Sequence, residues 1–174
     1  MHYASVQGQL EVVRELLEAE TVDVNASDND GKTALIYASS IGQPEVVRAL
    51  LNHSNININA QDKDGWTALS FASAKGNVEV VQGLLSNAKI DVNAAANHGL
   101  NATLNMGENA PRRGWTPLTL ASANGHLEVG LAIATQSVGS SRLVEDSATQ
   151  EVNHKFIIDR LIFANPISRW YCCS

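Results

Sequence analysis

The sequence has few cysteines, few aromatic residues and no long apolar stretch, and each shortage argues against a class of protein. Its 174 residues include two cysteines, Cys172 and Cys173, which is too few for a disulfide framework. The apolar runs are only a few residues long, far short of a membrane span. The N-terminus lacks the basic and then apolar stretches of a secretory signal peptide. We therefore expect an intracellular, cytoplasmic protein, with a nuclear location left open.

Basic charge is also scarce. The chain carries 12 lysines and arginines against 18 aspartates and glutamates, so its formal net charge is −6. Nucleic-acid and membrane-surface binding usually require a basic patch, so we expect neither kind of partner. Apolar residues make up 44% of the chain and aromatic residues only 5%, which predicts a core of Ala, Leu and Val rather than of large rings.

Signals of catalysis and metal binding are missing as well. None of the five histidines pairs with a cysteine or a carboxylate at metal-ligand spacing. The sequence contains no phosphate-binding loop and no motif that joins a nucleophile to a base. We therefore expect no enzyme activity, no cofactor, no metal and no small-molecule substrate.

The sequence does contain a 12-residue motif that occurs three times. It reads GKTALIYASSIG at 31–42, GWTALSFASAKG at 65–76 and GWTPLTLASANG at 114–125. Residues 28–61 and 62–95 share 17 identities in 34 positions, so the repeat is real and has a 34-residue period. The next copy begins 49 residues on, which is one period plus a 15-residue insertion.

Each copy carries the signals of two short helices. An Asp-x-Asp-Gly turn, as in Asp62 to Gly65, precedes Thr67, a natural N-cap. Gly76 ends the first helix at a left-handed position, and Glu79 opens the second, whose apolar residues form one stripe. Because both helices are shorter than the ~12–15 residues that make an isolated helix marginal, we expect the copies to stack into a solenoid.

The pattern D-x-D-G-x-T-A/P-L-x-x-A-S-x-x-G, followed by E-V-V-x-x-L-L and D/N-V/I-N-A, resembles the ankyrin repeat over about residues 1–134. The resemblance implies an all-α solenoid of stacked helix-turn-helix pairs with projecting hairpin or loop fingers. It also implies binding of another protein, without chemistry. The histidine of the family's T-P-L-H is kept only at His2 and is replaced by Ile36, Ser70 and Thr119, so we expect the loops to be less tightly tied together.

The repeat divides the chain into six segments. They are a first repeat at 1–26 that lacks its turn and Thr cap, repeats at 27–60 and 61–94, an inserted loop at 95–110, a degraded repeat at 111–136, and a tail at 137–174. The insertion is either a flexible surface loop or an extended finger that contacts a partner. The tail has an amphipathic segment at 155–164, which predicts a cap over the last repeat, with a partner-docking helix and a disordered end as alternatives.

Positions that vary between copies map the surface, because repeated positions form the core of a stack. In the turns, the candidate partner-binding residues are Asn29, Asp30, Lys32, Lys63, Asp64, Trp66, Arg112, Arg113 and Trp115. At the ends of the first helices they are Ser40, Ile41, Ala74, Lys75, Ala123 and Asn124, with Val6 and Gln7 at the matching places in the first copy. Residues at these places in the family line the concave face and the fingers.

Trp66 and Trp115 occupy the same place in successive copies, one residue after the turn glycine. Since Lys32 fills that place in the preceding copy, we expect both rings to be exposed and to act as hot spots for a partner. The alternative is that both rings fold over the turn as packing. We expect four basic residues to steer acidic partners, namely Lys63, Lys75, Arg112 and Arg113.

These features lead to two hypotheses about function. The first is a non-enzymatic protein-interaction module that binds another protein through the concave face and fingers. The second is a structural spacer or sensor arm of a larger signalling protein, of which this chain is a fragment; the incomplete first repeat favours it. The partner's identity does not follow from the fold.

Overall fold

The computed structural model describes residues 1–19, 21–96 and 114–137, and these ranges contain eight α-helices. They are α1 (His2–Val6), α2 (Leu10–Glu18), α3 (Ala34–Ile41), α4 (Pro44–Leu51), α5 (Ala68–Lys75), α6 (Val78–Leu85), α7 (Pro117–Ala123) and α8 (Leu127–Ser137). Most of the predicted insertion and tail, including the helix at 155–164, lies outside the described residues, as do Arg112 and Arg113.

The helices begin and end at the residues that the sequence indicates. Thr33, Thr67 and Thr116 are N-caps, and each side chain accepts a hydrogen bond from the backbone N–H three residues on. Pro44 and Pro117 open α4 and α7, where a missing N–H costs nothing. The C-cap glycines of α3 and α5, Gly42 and Gly76, have φ of 88° and 73°, in the left-handed region.

The eight helices form two stacked layers. The inner layer is α1, α3, α5 and α7, and the outer layer is α2, α4, α6 and α8; each helix contacts its counterpart in the next pair. The predicted apolar stripe of α6, formed by Val80, Val81, Leu84 and Leu85, is buried. The prediction of an all-α solenoid is confirmed, and the core runs between the two layers along the whole stack.

Polar side chains join one repeat to the next at the inner-helix ends. Asn77 Nδ2 donates to the Ser39 carbonyl at 2.8 Å, and His126 Nε2 lies 3.2 Å from the Ala74 carbonyl. These side chains occupy the space beside the glycine of the preceding repeat. A Cβ on Gly76 would lie 2.5 Å from His126 Nδ1, so glycine is required there by space as well as by its φ.

Asparagines join the loops that follow the outer helices. Asn25 donates through Nδ2 to the Asn55 carbonyl and accepts from Asn57 N–H, both at 2.7 Å. One period later, Asn59 bonds the Lys89 carbonyl at 2.8 Å and Asp91 N–H at 2.9 Å. Asparagine therefore links these loops across repeats in which the sequence has lost the family's histidine.

Three hairpin fingers have the same hydrogen-bonded base. In each, a backbone N–H donates to the carbonyl of the residue after the turn glycine, at 3.0–3.1 Å; the pairs are Asp28 with Lys32, Asp62 with Trp66 and Ala96 with Trp115. We call them the second, third and fourth fingers. Two residues separate Asp62 from Gly65, whereas 17 (97–113) separate Ala96 from Gly114. The extra residues therefore fall, in sequence order, between Ala96 and Gly114, which are hydrogen-bonded to one another.

Candidate protein-interaction surface

The candidate site is the inner face, by which we mean the solvent side of α1, α3, α5 and α7 together with the fingers. Among the predicted residues, those that are exposed are Gln7, Asn29, Asp30, Ile41, Lys63, Asp64 and Lys75. Those that are half-buried are Val6, Lys32, Ser40, Ala74, Ala123 and Asn124. The fingers and the inner-helix ends thus contribute separate rows of side chains to one side of the stack.

The expectation that Trp66 and Trp115 are exposed is wrong. Their relative exposures are 2% and 4%, and the rings pack with Ala96 and Leu120 in a cluster under the fingers. The Trp66 ring centroid lies 5.1 Å from that of Phe71 in α5. Removing a large indole from water stabilises the finger against its helix, which is the packing alternative, so neither ring is offered to a partner.

Lys32 explains why the comparison of copies misled. Its ammonium lies 5.6 Å from the Phe71 ring centroid, and the residue is half-buried. A lysine can cover an aromatic ring with its methylene stem and a cation–π contact while its charge stays near water. A position that accepts lysine in one copy can therefore bury a tryptophan in the next.

The second finger is joined to α3 by a polar contact. Tyr37 donates its hydroxyl to Asp28 Oδ2, while Oδ1 accepts from the backbone N–H groups of Lys32 and Asp30, each at 2.9 Å. The Tyr37 hydrogen bond, followed by that from Lys32, lowers the pKa of Asp28 below its ordinary value. The same hydroxyl bond raises the pKa of Tyr37.

The third finger is joined to α5 differently. Asp62 Oδ1 accepts from Asp64 N–H at 3.0 Å and Trp66 N–H at 2.8 Å, as in the second finger. Phe71, which stands where Tyr37 stands one period earlier, has no hydroxyl to donate. Burial of the carboxyl under the finger therefore dominates and raises the pKa of Asp62 above its ordinary value.

Two large apolar side chains are exposed on the inner face. Ile41, at the end of α3, is 55% exposed, and Tyr3, in α1, is 74% exposed. Tyr3 was missed by the comparison of copies, although it shares the 34-residue register of Tyr37 and Phe71. The shared register was the available signal, and the three equivalent rings differ in their cover, because Asp28 contacts Tyr37 and Trp66 packs against Phe71.

Charges are distributed unevenly between the two sides. The three ion pairs found among the described residues lie on the outer helices and join Arg14 to Glu11, and Arg48 to Glu45 and Glu79, at 3.3–4.0 Å. Lys63 and Lys75 on the inner face form no ion pair with any described residue. Those two ammonium groups can pair with an incoming carboxylate without breaking an existing contact.

The outer side also has an open groove, which lies between α2 and α4 and has a volume of about 430 Å³. Of its charged lining, Arg14, Glu45 and Arg48 already take part in ion pairs. In the ranges the structure describes, no three His, Cys, Asp or Glu side chains could together hold a metal ion. None of the helices there is long and apolar enough to cross a bilayer.

Comparison with known proteins agrees with this architecture. A family model described as ankyrin repeats, in three copies, matches residues 1–96, which is more than half of the 174 residues. The match spans α1 to α6, while α7 and α8 lie beyond it and continue both layers. No curated protein matches the sequence.

Proposed function

Because this chain belongs to the ankyrin-repeat family, we propose that it binds a partner protein through the concave inner face and the fingers, without chemistry of its own. The observation that carries the proposal is the exposure of two large apolar side chains, Ile41 and Tyr3, on the inner face. Ankyrin repeats are in general protein-protein interaction modules. Beyond this general role, we propose the face that the partner covers and the residues that contact it.

Ile41 and Tyr3 supply the apolar contacts in this proposal. Covering an exposed aliphatic side chain contributes about 1.5–3 kcal/mol, and a central apolar contact ringed by polar groups is the usual hot-spot arrangement. Ile41 lies at the end of α3, between the inner helices of the first and third repeats. A partner centred on Ile41 would therefore touch three repeats.

The finger residues provide specificity rather than the bulk of the affinity. Asn29, Asp30, Lys63 and Asp64 are exposed at the tips of the second and third fingers. Exposed charges at the rim of an interface change the association rate and exclude wrong partners more than they raise affinity. Arg112 and Arg113, which directly precede Gly114 in the sequence and lie outside the described residues, remain part of the proposed set of contact residues.

The buried tryptophans contribute to partner binding indirectly. Trp66 and Trp115 hold the third and fourth fingers against the inner helices, so the row of finger residues has a defined position before a partner arrives. Preorganisation reduces the entropy lost on binding. Their substitution would therefore weaken binding through the stability of the fingers and not through a lost contact.

A second proposal is that the chain is a spacer or sensor arm within a larger signalling protein. Val12 in α2 is 43% exposed, whereas the equivalent residues Val46 and Val80 are buried, in outer helices that each contact the preceding outer helix. An open face of this kind would suit stacking against a further structured element. The full transcript sequence would distinguish a fragment from a self-contained module.

The experiment compares three baits in a pull-down from the source organism's lysate: the wild-type chain, Ile41→Asp and Val12→Asp. Both substitutions place a carboxylate at an exposed apolar position, one on the inner face and one on the outer layer. We expect a partner to be recovered by the wild type and by Val12→Asp and lost with Ile41→Asp. Equal recovery by all three baits contradicts the inner-face proposal, and loss with Val12→Asp alone favours the spacer arm.

A further inference from the structure

We propose that the partner docks with an extended, acidic segment, which places an apolar side chain on the second repeat and a carboxylate on the third. This inference rests on the proposed function, since it names the kind of partner that the inner face accepts. Four observations support it: a row of unlike side chains, a floor of small residues, two ammonium groups that form no ion pair with a described residue, and the spacing of the repeats.

The row consists of equivalent residues at the ends of the four inner helices. They are Gln7, Ile41, Lys75 and Asn124. Because α1, α3, α5 and α7 lie side by side, successive repeats present an amide, an aliphatic group, an ammonium and an amide in fixed order. A ligand lying along the row therefore meets an apolar position and then a positive one, and this order gives the ligand a direction.

The residues one position earlier form the floor beside this row. They are Val6, Ser40, Ala74 and Ala123, and all are half-buried. Ser40 Oγ donates to the Tyr37 carbonyl at 3.0 Å, so its hydroxyl is already satisfied. On the far side, Tyr37 and Phe71 lie beneath the second and third fingers. The floor side chains are small, which allows the close approach of an extended main chain better than that of a helix about 10–12 Å across.

Positive charge is concentrated at the third repeat. Lys75 in the last turn of α5 and Lys63 at the tip of the third finger are both exposed and form no ion pair with described residues. At the second repeat, Lys32 is occupied by its contact with Phe71, and Asp30 is exposed at the fingertip. Asp64, next to Lys63 in the sequence, is exposed at the same fingertip, so the exposed charges on this face sum to +1 in the third repeat (Lys63, Lys75 and Asp64) and to −1 in the second (Asp30). A carboxylate is therefore favoured over the third repeat, near Lys75, and opposed over the second. At physiological salt the screening length is about 8 Å, so these local charges outweigh the chain's net charge of −6.

The spacing of the repeats sets the spacing within the partner segment. Packed helices lie about 8–10 Å apart, and an extended chain advances about 3.3 Å per residue. Ile41 and Lys75, on neighbouring helices, are therefore separated by about three residues of an extended segment. The expected sequence feature of the partner is an apolar residue with an aspartate or glutamate about three positions away.

The test is a phage-display selection of random peptides about 10 residues long, enough to span three repeats when extended, against the wild-type chain. The selected peptide is then synthesised in two forms, as selected and with its acidic residue changed to the amide, and its affinity is measured by fluorescence anisotropy. The proteins compared are the wild type, Ile41→Asp, Lys75→Glu and the control Lys89→Glu. Lys89 is exposed in the loop after α6, so this control changes the charge by the same amount elsewhere.

We expect the selected peptides to share an apolar residue and an acidic residue about three positions apart. Ile41→Asp should weaken binding by about tenfold or more, Lys75→Glu by about five- to tenfold, and Lys89→Glu by less than about twofold. The amide form of the peptide should lose its sensitivity to Lys75→Glu. Far-UV circular dichroism of each variant checks that the stack is intact.

Two results overturn the inference while leaving the proposed function in place. The first is a selected peptide that depends on Ile41 but has no acidic residue and ignores Lys75→Glu. The second is a selection that returns no peptide, while the lysate partner still depends on Ile41. Peptides and a lysate partner that are both indifferent to Ile41→Asp overturn the inference and the proposed function together.

Discussion

The second and third fingers have the same backbone but are joined to their inner helices by different chemistry. In both, an aspartate accepts two backbone N–H groups within the turn. The second finger then uses the hydroxyl of Tyr37, whereas the third buries Trp66 against Phe71. Each finger therefore contacts its inner helix through a side chain. A half-buried hydrogen bond and a buried aromatic contact hold the same backbone arrangement.

The two contacts are unequal energetically. The Tyr37–Asp28 hydrogen bond replaces bonds that both groups would make with water, so its net contribution is modest. Trp66, with an exposure of 2%, removes a large apolar surface from water. We therefore expect the third finger to contribute much more to the stability of the stack than the second.

The largest effect that separates the fingers is expected from Trp66→Ala. Truncation of a buried tryptophan costs about 3–5 kcal/mol, because it removes apolar burial and leaves a cavity beside Phe71. Lys32→Ala at the equivalent place should cost less than about 1 kcal/mol, since only a half-buried stem and a cation–π contact are lost. Urea denaturation of both variants measures the free energies of unfolding.

Trp66→Phe is the companion variant if Trp66→Ala does not fold, and it should lie between the wild type and the alanine variant. The comparison of the two fingers fails if Trp66→Ala and Lys32→Ala lower the free energy of unfolding by similar amounts. In that case the burial of the ring would contribute no more than the lysine contact that replaces it one repeat earlier.

A medium effect is expected at the turn glycines of two fingers. Gly31 and Gly114 have φ of 81° and 84°, so alanine is strained at either position by about 1–2 kcal/mol. A Cβ on Gly31 would also lie 3.0 Å from Lys63 N in the third finger, whereas no described residue lies within 4 Å of one on Gly114. Gly31→Ala should therefore lower the thermal midpoint further than Gly114→Ala. Equal midpoints would mean that the second and third fingers do not press on one another.

The smallest effects concern pH. The folded-state pKa of Asp28 is lowered, so its contribution to stability is present above its unfolded pKa of about 3.9 and is lost as pH falls through the folded value. The folded-state pKa of Asp62 is raised, so its contribution is present below the unfolded pKa and is lost as pH rises through the folded value. The two equivalent aspartates therefore respond to pH with opposite signs.

Asp28→Asn should reduce the difference in stability between about pH 7 and about pH 3, and Asp62→Asn should increase it. An asparagine at 62 keeps an Oδ1 acceptor for both N–H groups. Because solvent screens the lost charge, the free energy of unfolding at neutral pH should change by only about a few tenths of a kcal/mol. Urea midpoints at the two pH values measure both effects. Shifts of the same sign in the two variants would contradict the opposite environments described for these carboxyls.

The helices and their stacking could be predicted from the residues because their causes are local. Threonine caps, prolines at the first helical position, glycines of positive φ and the apolar stripe of α6 act within one or two turns. The 34-residue period then required each copy to pack against the next, since none could bury its apolar face alone. The candidate site was predicted in part: Ile41, Lys63 and Lys75 are exposed on the inner face, as the variation between copies indicated.

Tertiary structure decided the rest. Whether the residue after a turn glycine is exposed depends on the inner helix that its finger contacts. Trp66 is buried because it packs against Phe71 of α5. Tyr3 is exposed whereas the equivalent Tyr37 and Phe71 contact Asp28 and Trp66 of their fingers, so the exposure of this position depends on its tertiary contacts and not on the residue. The hydrogen bonds of Ala96 with Trp115 and Gly114 join residues that are far apart in the sequence, and no local signal predicts them. Interactions within one or two turns determine where the helices begin and end. Contacts between the helices and fingers of neighbouring repeats determine which side chains are buried.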